Sequence, residues 1–178
     1  IPTYFIKECH NELCKPLFIL FNKSLRQGVF PNVWKAAYIV PIHKNGDRSL
    51  CENYRPISIL SCLAKLFESI LYPYIFAQVK PFLSPEQHGF ISGKSTITNL
   101  LEFQNYLSNA FNNHKQVDCI YTDFRKAFDK VNHSMLCRKL DLYGIHGDLL
   151  RWVISYLENR SQIVVLGGFK SSRSSITS

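Results

Sequence analysis

Apolar residues recur every three to four positions in three long stretches, and that period predicts amphipathic helices. The first carries Leu13, Leu17, Leu20, Phe21 and Leu25, with Pro16 as a start or kink and Gly28 as a C-terminal stop. The second runs from Ile59 to about Val79, with Pro73 as a kink, and ends at Pro81 and Ser84-Pro85. A turn-rich segment, Glu86 to Gly93, leads into the third, from about Ser95 to Asn112. Between the first two, Ala36 to Val40 reads as a short strand with Ile42 as an open boundary. Pro41 cannot donate to a ladder, which predicts an edge or a bulge there. Asn45-Gly46-Asp47 signals a turn, and from there to Arg55-Pro56 the chain reads as polar and irregular. Val117 to Phe124 alternates as a strand, with Cys119, Tyr121 and Asp123 on one face. Short helices are predicted at about Ser134 to Tyr143 and Asp148 to Asn159, the second capped by Asp148. Gln162 to Leu166, Gly167-Gly168 and Phe169 read as a hairpin, and the serine-rich tail Ser171 to Ser178 as disorder or as strand and turn. Helices mixed with a few separated strands give an α+β or mixed fold.

At 178 residues the chain suits one domain rather than two. The longest apolar run, Ile70 to Ala77, falls far short of the roughly 20 residues of a membrane-spanning helix, and nothing near Ile1 has the order of a secretory signal. Lysine and arginine number 21 against 13 acidic residues, and the formal charge of +8 favours a polyanionic partner. The six cysteines, at positions 9, 14, 51, 62, 119 and 137, form no C-x-x-C pair, so free thiols in a reducing compartment are expected. A zinc site from Cys9, His10 and Cys14 lacks a second ligand pair and is not supported.

Chemistry concentrates in Tyr121-Thr122-Asp123-Phe124-Arg125-Lys126-Ala127-Phe128-Asp129-Lys130-Val131-Asn132-His133. An aspartate near a strand end supplies a hard oxygen for a divalent metal, but two-metal nucleotidyl transfer needs several such carboxylates. Alone, Asp123 reads rather as a strand-end aspartate that caps the next helix. The whole string resembles the first catalytic motif of reverse transcriptases of the non-LTR (LINE-like, jockey-like) retrotransposon type. Asp123, Phe124, Lys126, Ala127, Phe128 and Asp129 match each defined position of its Asp-Phe-x-Lys-Ala-Phe-Asp signature. The resemblance implies that Asp123 binds two magnesium ions and that Phe124 offers its carbonyl to one of them. It also implies that Phe128 is a gate beneath the nucleotide sugar, its ring opposing a ribose 2′-OH, and that Asp129 is mainly structural.

Further blocks follow the same family order. Trp34-Lys35-Ala36-Ala37-Tyr38-Ile39-Val40-Pro41-Ile42-His43-Lys44 resembles the first finger strand, and Asn53-Tyr54-Arg55-Pro56-Ile57-Ser58 the block after it. By that resemblance Lys44 and Arg55 face the incoming triphosphate, a chemistry that suits an ammonium and a guanidinium. Taken singly, each reads as a solvated surface charge. Glu86-Gln87-His88-Gly89-Phe90-Ile91-Ser92-Gly93-Lys94-Ser95-Thr96 is similar to the family's next block, although Ile91 and Lys94 stand where arginine is common. Gly89 and Gly93 allow close backbone approach to a template, and Lys94, Ser95 and Thr96 offer phosphate contacts. The plainer reading is a turn in which Ser95 caps a helix. Gly93-Lys94-Ser95 is no P-loop, because His88 occupies the place of the first glycine.

The resemblance spans about Leu17 to Ser178 and implies the fingers and the beginning of the palm of a right-hand polymerase. The chain is then truncated before the catalytic Asp-Asp turn, with residues 1–33 as a helical lead-in and 34–178 as fingers and partial palm. The intact parent would be an intracellular enzyme of nucleus or cytoplasm, copying an RNA template onto a DNA primer with Mg2+ and deoxynucleoside triphosphates. A catalytically inactive nucleic-acid-binding remnant is the alternative.

Overall fold

A computed structural model describes residues 2–176, so the last two positions of the serine-rich tail lie outside the described residues. The elements are mixed helix and strand. Two compact units appear, one formed by residues 1–79 with 129–178 and the other by residues 80–128.

In the larger unit, helix α1 (Thr3–Glu8) precedes α2 (His10–Gln27). Helix α2 runs through Pro16 and ends at Gly28, whose φ of 64° lets its N–H reach the Leu25 carbonyl at 2.9 Å. A Cβ at Gly28 would also sit 2.6 Å from Cβ of Arg151, so glycine is required both by the left-handed backbone and by the passing helix α6 (Gly147–Leu157). Helix α3 (Cys62–Val79) stays one helix through Pro73, and α5 (His133–Leu142) is capped by the Asn132 side chain, which accepts from the Met135 amide at 3.0 Å. Phe21, Phe30, Trp34, Phe67 and Trp152 meet among these helices as the core. Phe21 stacks on Phe67 with centroids 4.2 Å apart, and Phe30 meets Trp152 edge-on at 5.3 Å.

Strands β1 (Ala36–His43), β2 (Tyr54–Ile59), β3 (Ser161–Leu166), β4 (Phe169–Lys170) and β5 (Ser174–Ser175) form a mixed sheet in which β1 lies between β2 and β3. β1 runs antiparallel to β2 from Tyr38↔Ile59 to His43↔Tyr54 and parallel to β3 from Ala36↔Ser161 to Ile39↔Val164. Ala37 and Ile39 alternate inward and are buried, which holds this face of β1 to the core.

Four expectations need correction here. β1 is not an edge strand, because β3 pairs with its first half, although Pro41 itself lies where only β2 remains beside it. β3 leaves β1 after Ile39, so Pro41 faces only Pro56 of β2, and two facing prolines suit a position that exchanges no N–H. The segment expected to stay irregular as far as Arg55-Pro56 enters β2 at Tyr54, because the turn around Asn45-Gly46-Asp47 folds it back onto β1. His146, not Asp148, is the N-cap of α6. Asp148 falls in its first turn, where a carboxylate still favours the helix dipole.

The fourth correction concerns the smaller unit. Val117 to Phe124 joins no ladder: no described segment pairs with it through the hydrogen bonds that define a strand. Tyr121 and Cys119 remain neighbours: the Tyr121 hydroxyl donates toward the Cys119 sulfur, and that bond and the thiolate charge hold the hydroxyl above its ordinary pKa. Helix α4 (Thr96–Asn112) is the main element of this unit. It opens with a capping box in which Ser95 Oγ accepts from the Thr98 amide at 3.2 Å and the Ser95 amide donates to Thr98 Oγ1 at 2.8 Å.

Candidate functional site

The β1–β2 connection is built by backbone and side-chain bonds that its sequence dictates. Asp47 Oδ1 accepts from the Ser49 amide at 2.8 Å, Asn53 Nδ2 donates to the Asp47 carbonyl at 2.8 Å, and the Lys44 amide donates to the Asn53 carbonyl at 2.8 Å. The last bond continues the ladder one residue beyond the strand. Arg55 pairs with Ile42, and Lys44 lies two positions past Ile42, so alternation puts Lys44 and Arg55 on one face of the hairpin end. His43 and Tyr54 occupy the other face, with ring centroids 5.3 Å apart. Lys44 and Arg55 are both exposed. Two residues read as a pair from separate blocks are thus brought together.

The remaining candidates belong to the smaller unit. Asp123 is exposed, as is Phe124, at 85%. The chain then turns over residues 125–127, with Lys126 at a φ of 56°, and enters a short 3-10 turn at Phe128. The Phe128 ring is 77% exposed and is therefore not core. It meets Phe90 edge-on, with centroids 6.4 Å apart and an interplanar angle of 89°. Phe90 itself sits at a φ of 62°, an uncommon conformation for an aromatic residue. The motif turn and the glycine-containing loop therefore touch through two exposed rings.

Within that loop, a Cβ placed on Gly89 or Gly93 would meet nothing within 4 Å, so the surface beside both glycines is open to an approaching strand. Lys94 Nζ donates to the Pro85 carbonyl, which tethers the charge to its own loop. Ser95 serves as the α4 cap, the plainer of its two readings, and Thr96 is the first helical residue. The α4 N-terminus presents backbone N–H groups beside Lys94.

Sequence reasoning passed over His88. It is 8% exposed, its Nδ1 lies 2.9 Å from Thr98 Oγ1, and its Nε2 lies 3.0 Å from Glu102 Oε2, where the carboxylate makes the ring the donor. Thr98 and Glu102 stand four apart on one face of α4, so one imidazole pins the loop to two turns of helix. The available signal was that spacing, a turn histidine followed by two polar residues four apart on the next helix.

Among the described residues, no group of three or more His, Cys, Asp or Glu side chains converges as a metal site, and the six cysteines are free. Asp123 with the Phe124 carbonyl supplies too few oxygens for magnesium, which takes near-octahedral coordination, so these residues alone do not constitute a two-metal centre. Among the described residues, no helix is long and apolar enough to cross a membrane.

Comparison with known proteins places these features in a family. The sequence profile described as "Reverse transcriptase (RNA-dependent DNA polymerase)" matches residues 42–175, and this chain belongs to that family. The family fold is a right-hand polymerase. The chain is 32% identical over 157 residues to the probable RNA-directed DNA polymerase from transposon BS of Drosophila melanogaster, covering 83% of this chain and 17% of that protein. It is 32% identical over 149 residues to the retrovirus-related Pol polyprotein from type-1 retrotransposable element R2 of Popillia japonica, covering 84% of this chain and 21% of that protein. It is 32% identical over 159 residues to the RNA-directed DNA polymerase from mobile element jockey of Drosophila melanogaster, covering 88% and 17% respectively. The chain therefore spans about a fifth of the length of these relatives, all from non-LTR elements.

Proposed function

We propose that this chain is the fingers and the beginning of the palm of a retrotransposon RNA-directed DNA polymerase, with residues 1–33 as a helical lead-in and 34–178 as the polymerase part. The observation that carries the reading is the family match over residues 42–175, which includes the whole Asp123 to Asp129 signature. The substrates are deoxynucleoside triphosphates, the partners an RNA template and a DNA primer, and the setting intracellular, in nucleus or cytoplasm. Lys44 and Arg55, side by side at the hairpin end, bind triphosphate oxygens. Gly89, Gly93, Lys94, Ser95 and Thr96 receive template phosphates, an arrangement supported by the open surface at the glycines and the helix N-terminus behind them.

Magnesium supplies Lewis-acid stabilisation in this family. Asp123 and the Phe124 carbonyl provide part of its coordination here. Among the described residues no His, Cys, Asp or Glu group converges with Asp123, so these residues alone do not complete a two-metal centre. The chain by itself binds nucleic acid without turnover.

The test is extension of a DNA primer on an RNA template by the product of the longest reading frame that contains this chain. Magnesium-dependent synthesis is expected, and Asp123→Asn is expected to reduce it by three orders of magnitude or more, about the cost of losing a metal ligand in the transition state. Wild-type rates from Asp123→Asn would remove Asp123 from the site. Template-dependent synthesis by the isolated chain, abolished by Asp123→Ala, would overturn the claim that it is inactive alone.

A further inference from the structure

Lys35 is only 6% exposed, yet among the described residues no carboxylate oxygen lies within 4.0 Å of its nitrogen. Burial pushes its pKa down. The more distant Glu158 opposes that shift and Arg160 adds to it. The position is fixed by backbone bonds: its amide donates to the Asn32 carbonyl at 3.1 Å and its carbonyl accepts from the Ser161 amide at 3.1 Å, where β3 joins β1. An ammonium partly withdrawn from water, with no carboxylate beside it, is stabilised by an anion that enters the crevice.

Beside Lys35 opens a crevice of about 610 Å³ to which Asn32, Asn159, Ser161 and Arg173 also contribute. Two of its lining residues are cationic and none is acidic. No hydrogen bond from the Asn32, Asn159 or Ser161 side chain is found among the described residues, and all three line the crevice. Asn159 holds a φ of 54° at the reversal from α6 into β3, which fixes the crevice wall.

We propose that this crevice binds a phosphate group, with Lys35 as the buried charge, Arg173 as the cation at the rim, and the Asn32, Asn159 and Ser161 side chains as neutral donors. A guanidinium matches tetrahedral oxyanions, and the short polar side chains complete the set of donors that four phosphate oxygens accept. The site is separate from Lys44 and Arg55. Lys35 and Lys44 bracket β1, and nine steps of about 3.3 Å put them roughly 30 Å apart. The phosphodiester backbone of a polynucleotide and free inorganic phosphate present the same oxygens. The polynucleotide source rests on the polymerase reading; the phosphate site does not.

The experiment uses the full 178-residue chain and the variants Lys35→Met and Arg173→Gln. Binding of a labelled single-stranded RNA of about 20 nucleotides is followed by anisotropy across a salt series, and inorganic phosphate is titrated while the Asn159 and Ser161 amides are watched by NMR. Phosphate is expected to shift both amides in the wild type and neither in Lys35→Met. Each variant is expected to bind RNA roughly tenfold more weakly, with the slope of log K against log salt shallower by about 0.7 per lost contact. Lys35→Met is also expected to melt no lower than the wild type, because it removes an uncompensated buried charge, which separates a binding role from a structural one. Should Lys35→Met fail to fold, the exposed Arg173→Gln carries the comparison. RNA bound by both variants with wild-type affinity and slope, together with unmoved amides, would overturn the crevice and leave the polymerase reading standing. Amide shifts with phosphate but no RNA binding by the wild type would support the crevice as a free-phosphate site and count against the polymerase reading.

Discussion

Trp152 donates its indole N–H to Ser24 Oγ at 3.0 Å across 128 positions of sequence, and the Ser24 hydroxyl in turn donates a hydrogen bond to the Val29 carbonyl at 2.6 Å. Both residues are buried, at 3% and 5% exposure. The relay joins α6 to the end of α2 where Gly28 turns the chain, so the two helices share one polar contact inside an aromatic core. Ser24→Ala leaves the indole N–H without a partner, and the cost of such a group is about 1–3 kcal/mol. The expected outcome is an unfolding free energy lower by that amount in urea denaturation, seen as a lower midpoint at unchanged m-value. Trp152→Phe in the Ser24→Ala background should lose less than the sum of the single changes, and additive losses would show that the bond does not couple the helices.

The helices were legible because their determinants are local. Ser95 before α4 and Gly28 after α2 are read within a few residues of where they act, and the Thr98 and Asn132 partners the structure adds are equally local. The sheet was less legible. Pro41 reads as an edge residue, and nothing local shows that β3 pairs with the first half of the same strand; Tyr54 to Ile59 is a strand only because β1 is its partner. Val117 to Phe124 shows the converse, since alternation alone creates no ladder without a neighbour. For the site, the family signature placed Asp123, Phe124 and Phe128 on one turn and put Lys44 and Arg55 in separate blocks; their common face follows from a register no local pattern states. His88 escaped notice because its partners lie 10 and 14 residues ahead.

His88 should govern the order of the loop it anchors. His88→Ala removes the bonds to Thr98 and Glu102, and local opening of Glu86 to Lys94 should become easier by about 1–2 kcal/mol. Hydrogen exchange at the Gln87 and Lys94 amides, which donate to Ser84 and Ile91 carbonyls, reads this directly as a rise of roughly tenfold. Glu102→Gln keeps an acceptor opposite Nε2 and should leave the loop protected. Unchanged exchange in His88→Ala would mean that the capping box alone holds the loop.

The Asp47 turn carries a pH dependence of definite sign. The Ser49 amide, and after it the Ser49 hydroxyl, hold the Asp47 carboxyl below the ordinary 3.8. A depressed folded pKa means that the contribution is fully present above the unfolded value and is lost as pH falls through the folded one. The Ser49 amide resonance, followed from about pH 6 to pH 2, should therefore titrate with a midpoint below 3.8, and Asp47→Asn should abolish the transition. A midpoint at or above 3.8 would mean that the bond does not favour the carboxylate, and that Lys44 is positioned by the Asn53 carbonyl alone.

Phe128 gives the sharpest link between geometry and substrate choice. Its ring is 77% exposed and touches Phe90 edge-on, so two roles compete: a gate beneath the nucleotide sugar, or one half of an aromatic contact that steadies the motif turn. The contact is worth about 0.5–1.5 kcal/mol, enough to affect the turn but indifferent to the sugar. Steric exclusion of a 2′-OH depends on ring bulk at position 128 and not at position 90. In primer extension by the product of the longest reading frame containing this chain, Phe128→Val should raise ribonucleotide use relative to deoxynucleotide use by at least about tenfold, the worth of one well-placed steric contact. Phe128→Tyr should keep discrimination. Phe90→Leu removes the same ring contact and should leave discrimination near the wild-type ratio while lowering overall rate. Equal loss of discrimination in Phe90→Leu and Phe128→Val would assign selectivity to the shape of the turn rather than to the ring.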